Sequence, residues 1–496
     1  MKRSIHLGKA LGLLPGLAVL MVNAAVSAQP APVPPAPPPA PPAPAPAEPA
    51  PPPAAPAPEL APAPPPPPPA PAPPELAPPP VPPPAPEEMP APETATGPDS
   101  APGGKAWYDA FSFGAFVDAY ASVNYNFPKP QSGKNTFRAY DVSNGFALAW
   151  AGVNIGYDPD PVGGTVSLRF GPSATIHGAC VSGTCDNDIG LQYVKQAFVS
   201  WRPGGADAPL TLDFGKFDTI VGAEVAESQL NQNYTRGAVF WLGQPLYHTG
   251  VRATYQATET VALKAMAVNG WNNSVDNNTG KTFALQLGLA PTEQLAVYFG
   301  WIGGPEQSDT TSIACADDTA YDPSSGTCVP SDGAVGGDNL VDQGGANDFE
   351  AWRHLIDLVV SFQATPELAL VLNADYGRQG TRVPTSAGSI DIVDQSYYGV
   401  MLGGKYQLTP VWAVGLRGEY FGDPDGLTMA VGEDAALATA TLTIEAKPTD
   451  NLILRLDTRG DFALDGAGGK DWFGKDIRDA ESSQITSTLG VVVTTN

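Results

Sequence analysis

The sequence has little of what nucleic-acid binders and most enzymes are built from. It carries 26 Lys and Arg against 51 Asp and Glu, a formal net charge of −25. Affinity for a phosphate backbone rests on Lys and Arg, so this balance excludes nucleic acid as a partner. After Val22 no apolar run of about 18 residues occurs, which excludes a transmembrane helix. Of four histidines, His6 lies in the leader, leaving His177, His248 and His354. There is no G-x-S-x-G and no H-E-x-x-H. Gly280-Lys281-Thr282 ends like a phosphate-binding loop, but Val275 stands where the leading glycine belongs, and the segment enters a strand rather than a helix. His248 falls in the polar phase of a segment with a period of two and reads as a polar residue of its wall rather than a catalyst. These absences yield no catalytic residue, no metal ligand and no cofactor site, and the chain reads as a non-enzyme.

Cysteine is scarce too, with four in the whole chain. None forms a C-x-x-C unit, which argues against zinc. Cys180 with Cys185 and Cys315 with Cys328 are close in sequence, as expected for two local disulfides in an exported protein. Residues 304–351 are rich in aspartate (Asp317, Asp318, Asp322, Asp332, Asp338, Asp342 and Asp348), but no twelve-residue stretch fits a calcium-binding loop, so a solvated acidic loop is expected.

Proline, by contrast, is abundant and unevenly placed. Residues 1–28 read as a secretory signal: Lys2, Arg3 and Lys9, an apolar stretch from Ala10 to Val22, then Val26-Ser27-Ala28. Residues 29–106 are almost wholly Pro and Ala with scattered Glu. Such a segment cannot form a core and is expected to be disordered, periplasmic and polyproline-rich. About 75 residues at about 3.1 Å each would reach on the order of 200 Å when extended.

Residues 107–496 read as one β domain. About sixteen segments have a period of two: 111–127, 146–158, 165–173, 191–202, 209–217, 247–257, 260–271, 281–290, 294–303, 352–364, 367–378, 395–408, 411–422, 435–447, 451–462 and 483–494. Short links such as DPDPVGG and RPGGADAP follow the even-numbered segments. Long ones follow the odd-numbered segments: 128–145, 174–190, 218–246, 272–280, 304–351, 379–394, 423–434 and 463–482. This alternation belongs to a transmembrane antiparallel up-and-down β-barrel. Aromatic residues support it. Trp271, Trp301, Trp352, Tyr376, Tyr398 and Tyr420 are expected in a girdle at the long-loop end. Trp201, Tyr255, Tyr406 and Trp412 are expected at the short-turn end.

One strand phase is aliphatic and the other is charged. LILRLDTRGDF (452–462) sets Leu452, Leu454 and Leu456 against Arg455, Asp457, Arg459 and Asp461. Each Arg or Lys at the bilayer midplane costs about 2–4 kcal/mol, so the charged phase must face water inside. The expected pore lining is Arg169, Asp213, Arg252, Lys264, Arg353, Asp357, Asp375, Lys405, Arg417, Glu419, Lys447, Arg455, Asp457, Arg459 and Asp461, with Asp118 and Glu445 in the same phase. Sixteen strands leave room for an aqueous channel. The third long loop, 218–246, is expected to fold inward and narrow it, with Glu224, Glu227 and Arg236. Glu224 and Glu227 would then face a basic wall of Arg417, Lys447, Arg455 and Arg459 across the narrowest water. Segment 146–158 phases too weakly for its faces to be assigned.

LTLDFGKFDTIVGAEVAESQLNQNYTRGAVFWLGQPLYHTGVRATY (210–255) resembles the OmpL-like β-barrel porin family of Gram-negative outer membranes. So do FGAFVDAYASVNYNF (113–127), PVGGTVSLRFGPSA (161–174) and AVNGWNNSVDNNTGKTFALQLGLAP (267–291). The resemblance implies an outer-membrane barrel with pore character. The Pro/Ala segment, the two cysteine loops and the ending VVVTTN depart from that pattern. The expected function is a porin for passive diffusion of ions and small hydrophilic solutes, surrounded by outer-membrane lipid and lipopolysaccharide, with homo-oligomers compatible. The alternatives are a structural anchor tied to the cell wall through the Pro/Ala segment, and a barrel enzyme using loop carboxylates.

Overall fold

The structure is a computed structural model that describes residues 110–128, 135–179, 186–315, 318–322, 327–331, 337–342, 348–384, 390–465, 471–476 and 479–495. The expected leader, the Pro/Ala segment, Cys180 and Cys185 lie outside these residues. Sixteen strands close into one barrel: Phe111–Asn124 (β1), Asn144–Tyr157 (β2), Val162–Phe170 (β3), Val194–Trp201 (β4), Leu210–Asp218 (β5), Tyr247–Thr258 (β6), Val261–Val268 (β7), Thr282–Thr292 (β8), Leu295–Gly304 (β9), Arg353–Thr365 (β10), Leu368–Pro384 (β11), Ile390–Gln407 (β12), Trp412–Asp423 (β13), Ala435–Thr449 (β14), Leu452–Asp465 (β15) and Ser483–Thr494 (β16). Each pairs antiparallel with its sequence neighbour. β1 closes on β16, from Phe116 opposite Thr494 to Asn124 opposite Thr486. Closure matters because lipid offers no hydrogen bonds, so an open sheet edge would strand a row of amides and carbonyls.

The two faces separate as the period of two requires. On β15 Arg455, Asp457, Arg459 and Asp461 are buried inside, whereas Leu456 and Phe462 are exposed outside. β2 departs from clean alternation for a local reason. Asp118 pairs with Trp150 and Ala119 with Leu148, so Ala149 is an extra residue and both Ala149 and Trp150 turn inward.

Trp201, Tyr255, Tyr406 and Trp412 are exposed at the short-turn end, and Tyr376, Tyr398 and Tyr420 at the long-loop end, where Tyr398 and Tyr420 stack at 5.9 Å. Trp301 and Trp352 gather around His354 on the same rim. Trp271 is a correction to the expected girdle. It packs on the interior core, with the Arg353 guanidinium 5.0 Å above its ring. Asn272 at φ 57° turns the chain there, and the Trp271 backbone amide donates to Glu306 (2.8 Å).

The expected long loop 379–394 is largely strand. β11 and β12 stay paired to Pro384 opposite Ile390, helped by Thr381 and Gln395 side chains that bond across the ladder. Loop 304–351 builds hairpins of its own, 310–315 with 337–342 and 319–322 with 327–330. Cys328 is disulfide-bonded. Among the described residues no group of His, Cys, Asp and Glu could hold a metal ion.

Leu416 is the residue to test, because it sits midway between Trp412 and Tyr420 on β13 and is 60% exposed. Leu416→Arg is expected to lower the unfolding free energy by about 2–4 kcal/mol, measured by urea titration in phospholipid vesicles. A loss below about 1 kcal/mol would take this face out of the hydrocarbon.

Candidate functional site

The chain between β5 and β6, residues 219–246, runs inside the barrel. Its apolar residues explain why it turns inward. Ile220, Val221, Ala238 and Val239 are buried against inward-facing Met266, Ala284, Ile302 and Leu355. A short helix, Ala238–Gly243, carries Phe240 into a second cluster with Tyr120, Tyr140, Trp150 and Tyr234. Two glycines are required by space. Gly222 has φ +92°, and a Cβ there would lie 2.0 Å from Gln244 Oε1. A Cβ on Gly237 would lie 2.1 Å from Glu419 Oε1.

Polar contacts then bind this loop to the wall around the ring. Ser228 and Tyr234 donate to Asp118 on β1 (2.7 and 2.6 Å). Asn373 and Asp375 on β11 accept from Gln244 (2.8 and 2.6 Å), and Asn373 also accepts from the Ala223 amide (3.0 Å). Tyr397 on β12 donates to the Gly243 carbonyl (2.7 Å). Arg417 on β13 donates to Glu224 and to the Thr235 carbonyl, both at 2.6 Å. Glu419 accepts from the Val239 amide (3.1 Å). Asp457 on β15 accepts from the amide and hydroxyl of Thr235 (2.8 and 2.9 Å). Arg455 donates to the Ser228 and Asn233 carbonyls, and Arg459 to the Arg236 carbonyl (2.6 Å). Hydrogen bonds to charged groups contribute about 1.5–3 kcal/mol each.

The expected pore-lining residues therefore sit on the inner wall, but many do not meet water. Arg169, Asp213, Arg252, Asp357, Asp375, Arg417, Glu419, Arg455, Asp457, Arg459 and Asp461 are all buried. At the level of the loop, the loop and neighbouring wall charges fill the space expected to hold water. Arg252 pairs with Asp213 (2.9 Å), Arg459 with Asp461 (2.6 Å), and Lys405 and Arg455 with Glu445 (2.6 and 2.7 Å). Arg353 bonds Gln379 near the outer rim. Lys264 is half-buried. Lys447 is exposed beside the short turn, past the register shift after Ala446. Arg236 folds back onto its own loop, with its guanidinium 4.7 Å from the Tyr140 ring.

Nor do the two loop glutamates face a basic wall across water. Glu224 reaches Arg417 directly. Glu227 turns to the near side and pairs with Arg169 (2.7 Å) and Lys195 (3.0 Å). Burial alone would raise the Glu227 carboxyl, but Lys195 and Arg169 outweigh it and hold it below the ordinary carboxylate range. Burial raises Glu224, and the adjacent Glu419 adds to this against the pull of Arg417.

Lys195 was not foreseen. It is out of phase with inward Phe198 and Ser200, and the register shift between Ser167 and Leu168 on the neighbouring strand accompanies its inward turn. Tyr234 and Asn233 also gave no sequence signal beyond lying on the loop.

Beneath the loop, toward the short turns, lies a cavity of about 510 Å³. Arg169, Lys195, Arg202, Arg252 and Lys264 line it with Asp213, and residues 229–233 roof it.

A family model described as "Putative beta-barrel porin-2, OmpL-like" matches residues 110–494. OmpT of Vibrio cholerae aligns at 12% identity over 78% of this chain and 98% of its own, with a TM-score of 0.44. The anion-selective porin of Comamonas acidovorans gives 11%, 77%, 99% and 0.45 for the same quantities. Salmonella typhi OmpF gives 9%, 78%, 99% and 0.46. No curated protein matches the chain.

On the outer rim, after β9, Glu306 is buried and accepts from Thr282 Oγ1 (2.5 Å) and the Trp271 amide (2.8 Å). Burial pushes its carboxyl from 4.5 up to about 7. A raised carboxyl favours the folded state at low pH, and that contribution is lost as pH rises through the folded value. Stability is therefore expected to fall between pH 4.5 and about 7, by at most about 3 kcal/mol. Urea titrations across that window should show the slope in the native chain and its reduction in Glu306→Gln.

Proposed function

The chain belongs to the OmpL-like β-barrel porin family, whose model spans the whole barrel, and from this we propose that it is an outer-membrane channel for passive diffusion of small hydrophilic solutes. The observation that supports this most is the inward loop. Residues 219–246 cross a sixteen-stranded polar lumen and are bound to β1, β11, β12, β13 and β15 from within. A loop held at mid-height sets the bore, while the polar cavity below it forms the inner vestibule. In bacterial barrels the short turns face the periplasm. β1 enters from that end, so the Pro/Ala segment 29–106 is assigned to the periplasm. The disulfides Cys180–Cys185 and Cys315–Cys328 would then brace loops on the outer side.

Deleting 225–235 is expected to raise single-channel conductance in planar bilayers. Unchanged conductance in a correctly folded deletion variant would remove this loop from the constriction.

Glu224 and Glu227 are committed to Arg417, Arg169 and Lys195, so they add little free charge to the permeation path. The wall charges are likewise largely paired. What remains is the acidic outer mouth, where cations collect over a Debye length of about 10 Å at 0.1 M salt. A weak cation preference that fades with rising salt is expected, read from the zero-current potential under a KCl gradient. Chloride preference at low salt would mean that the arginines govern permeation instead.

A further inference from the structure

The cavity beneath the loop carries more positive than negative charge. Six Lys and Arg and five Asp and Glu line it. Four of the acids are already held by cations: Glu227 by Arg169, Asp218 by Lys195, Asp213 by Arg252 and Glu224 by Arg417. The fifth, Asp158, is exposed on the turn after β2.

Arg202, at the end of β4, is different from the other arginines of this wall. Its Nε donates to Thr211 Oγ1 (3.2 Å) and one terminal nitrogen donates to the Ala206 carbonyl (2.7 Å). Both acceptors are neutral, so among the described residues its charge meets no carboxylate. The other terminal nitrogen keeps its two N–H groups. Thr211 accepts from Arg202, which leaves its own hydroxyl proton to be donated elsewhere.

The pairing of the strands extends this into a row. Thr211 on β5 lies opposite Thr254 on β6, and Thr254 lies opposite Lys264 on β7. All four residues line the cavity and all four are half-buried. They stand one row nearer the short turns than Asp213 and Arg252, which face each other across β5 and β6. The row therefore has a cation at each end and two hydroxyls between. Three strand spacings, about 14 Å, separate the backbones at its ends. Two long side chains reaching toward each other over that distance leave room for a short dicarboxylate. A guanidinium fork matches a carboxylate, and a lysine supplies a second point charge. The cavity volume of about 510 Å³ is that of a small-molecule site.

We propose that Arg202, Thr211, Thr254 and Lys264 form a binding site for small organic dianions of the dicarboxylate class on the inner side of the constriction. One carboxylate sits on Arg202, the other on Lys264, and the threonine hydroxyls donate between them. Passage of the dianion through the barrel rests on the channel reading; its binding does not. A monoanion engages one end of the row only, so the site selects by the number and spacing of charges. Half-exposed ion pairs are individually weak, and a dissociation constant on the order of 1 mM suits a site that must also release its solute.

The test uses the refolded full chain and succinate as the probe. Broadening of the succinate proton resonance, titrated against the barrel in micelles, is expected to saturate on the order of 1 mM, with acetate about tenfold weaker. Arg202→Gln or Lys264→Gln is expected to weaken succinate binding about tenfold. Lys447→Gln, which removes an exposed cation elsewhere at the short-turn end, should leave it unchanged. In planar bilayers, succinate on the short-turn side should lower the current of the native channel and not that of the Arg202→Gln variant. Saturable succinate binding that Arg202→Gln weakens, in a barrel that does not conduct, would keep the site and overturn the channel. No saturable binding in a conducting barrel, or an equal loss in the Lys447→Gln variant, would overturn the site.

Discussion

Three arginines that face into the barrel hold the interior together. Arg417, Arg455 and Arg459 point inward because lipid forbids them outside, and each finds backbone carbonyls of the inward loop. A guanidinium has several donors in a fixed plane and no acceptor, so it serves carboxylates and carbonyls at once. Arg417 joins Glu224, Glu419 and the Thr235 carbonyl in this way. Removing one such partner would leave buried charge or buried carbonyls unsatisfied, a cost larger than the worth of one bond.

Two constraints thus converge on the same residues. The membrane sends the charges at the middle of the spanning strands inward, and the loop uses several of them as anchors. The division of labour along the axis follows. At mid-height, charge is consumed in holding the loop. Below it lies the cavity lined by Arg169, Lys195, Arg252 and Asp213.

Much of the architecture was legible because a strand in a barrel wall has one wet and one greasy side. The alternation in 452–462 gives the faces of β15 directly, and the short and long links give the order of closure. The inward course of 219–246 was legible from its length and place. Its partners were not. Glu227 meets Arg169 and Lys195 rather than the far wall, because pairing across a lumen depends on where each strand falls around the ring, which periodicity does not encode. The blurred phase of β2 has a single cause, the extra residue Ala149. Trp271 was misplaced because a tight turn at Asn272 and a buried acceptor, Glu306, decided its direction. The sequence also showed which residues were charged, but not that the loop would bury them.

The central claim is that residues 219–246 are a fixed part of the lumen wall rather than a mobile cover. Amide hydrogen exchange in lipid vesicles tests it directly. The amides of Thr235, Gly237 and Val239 donate to Asp457, Glu224 and Glu419 inside the barrel. A peptide covering 225–246 should exchange as slowly as peptides from β14 and β15. Exchange as fast as that of the exposed turn 202–208 would contradict the account, because it would mean that the wall arginines do not hold the loop.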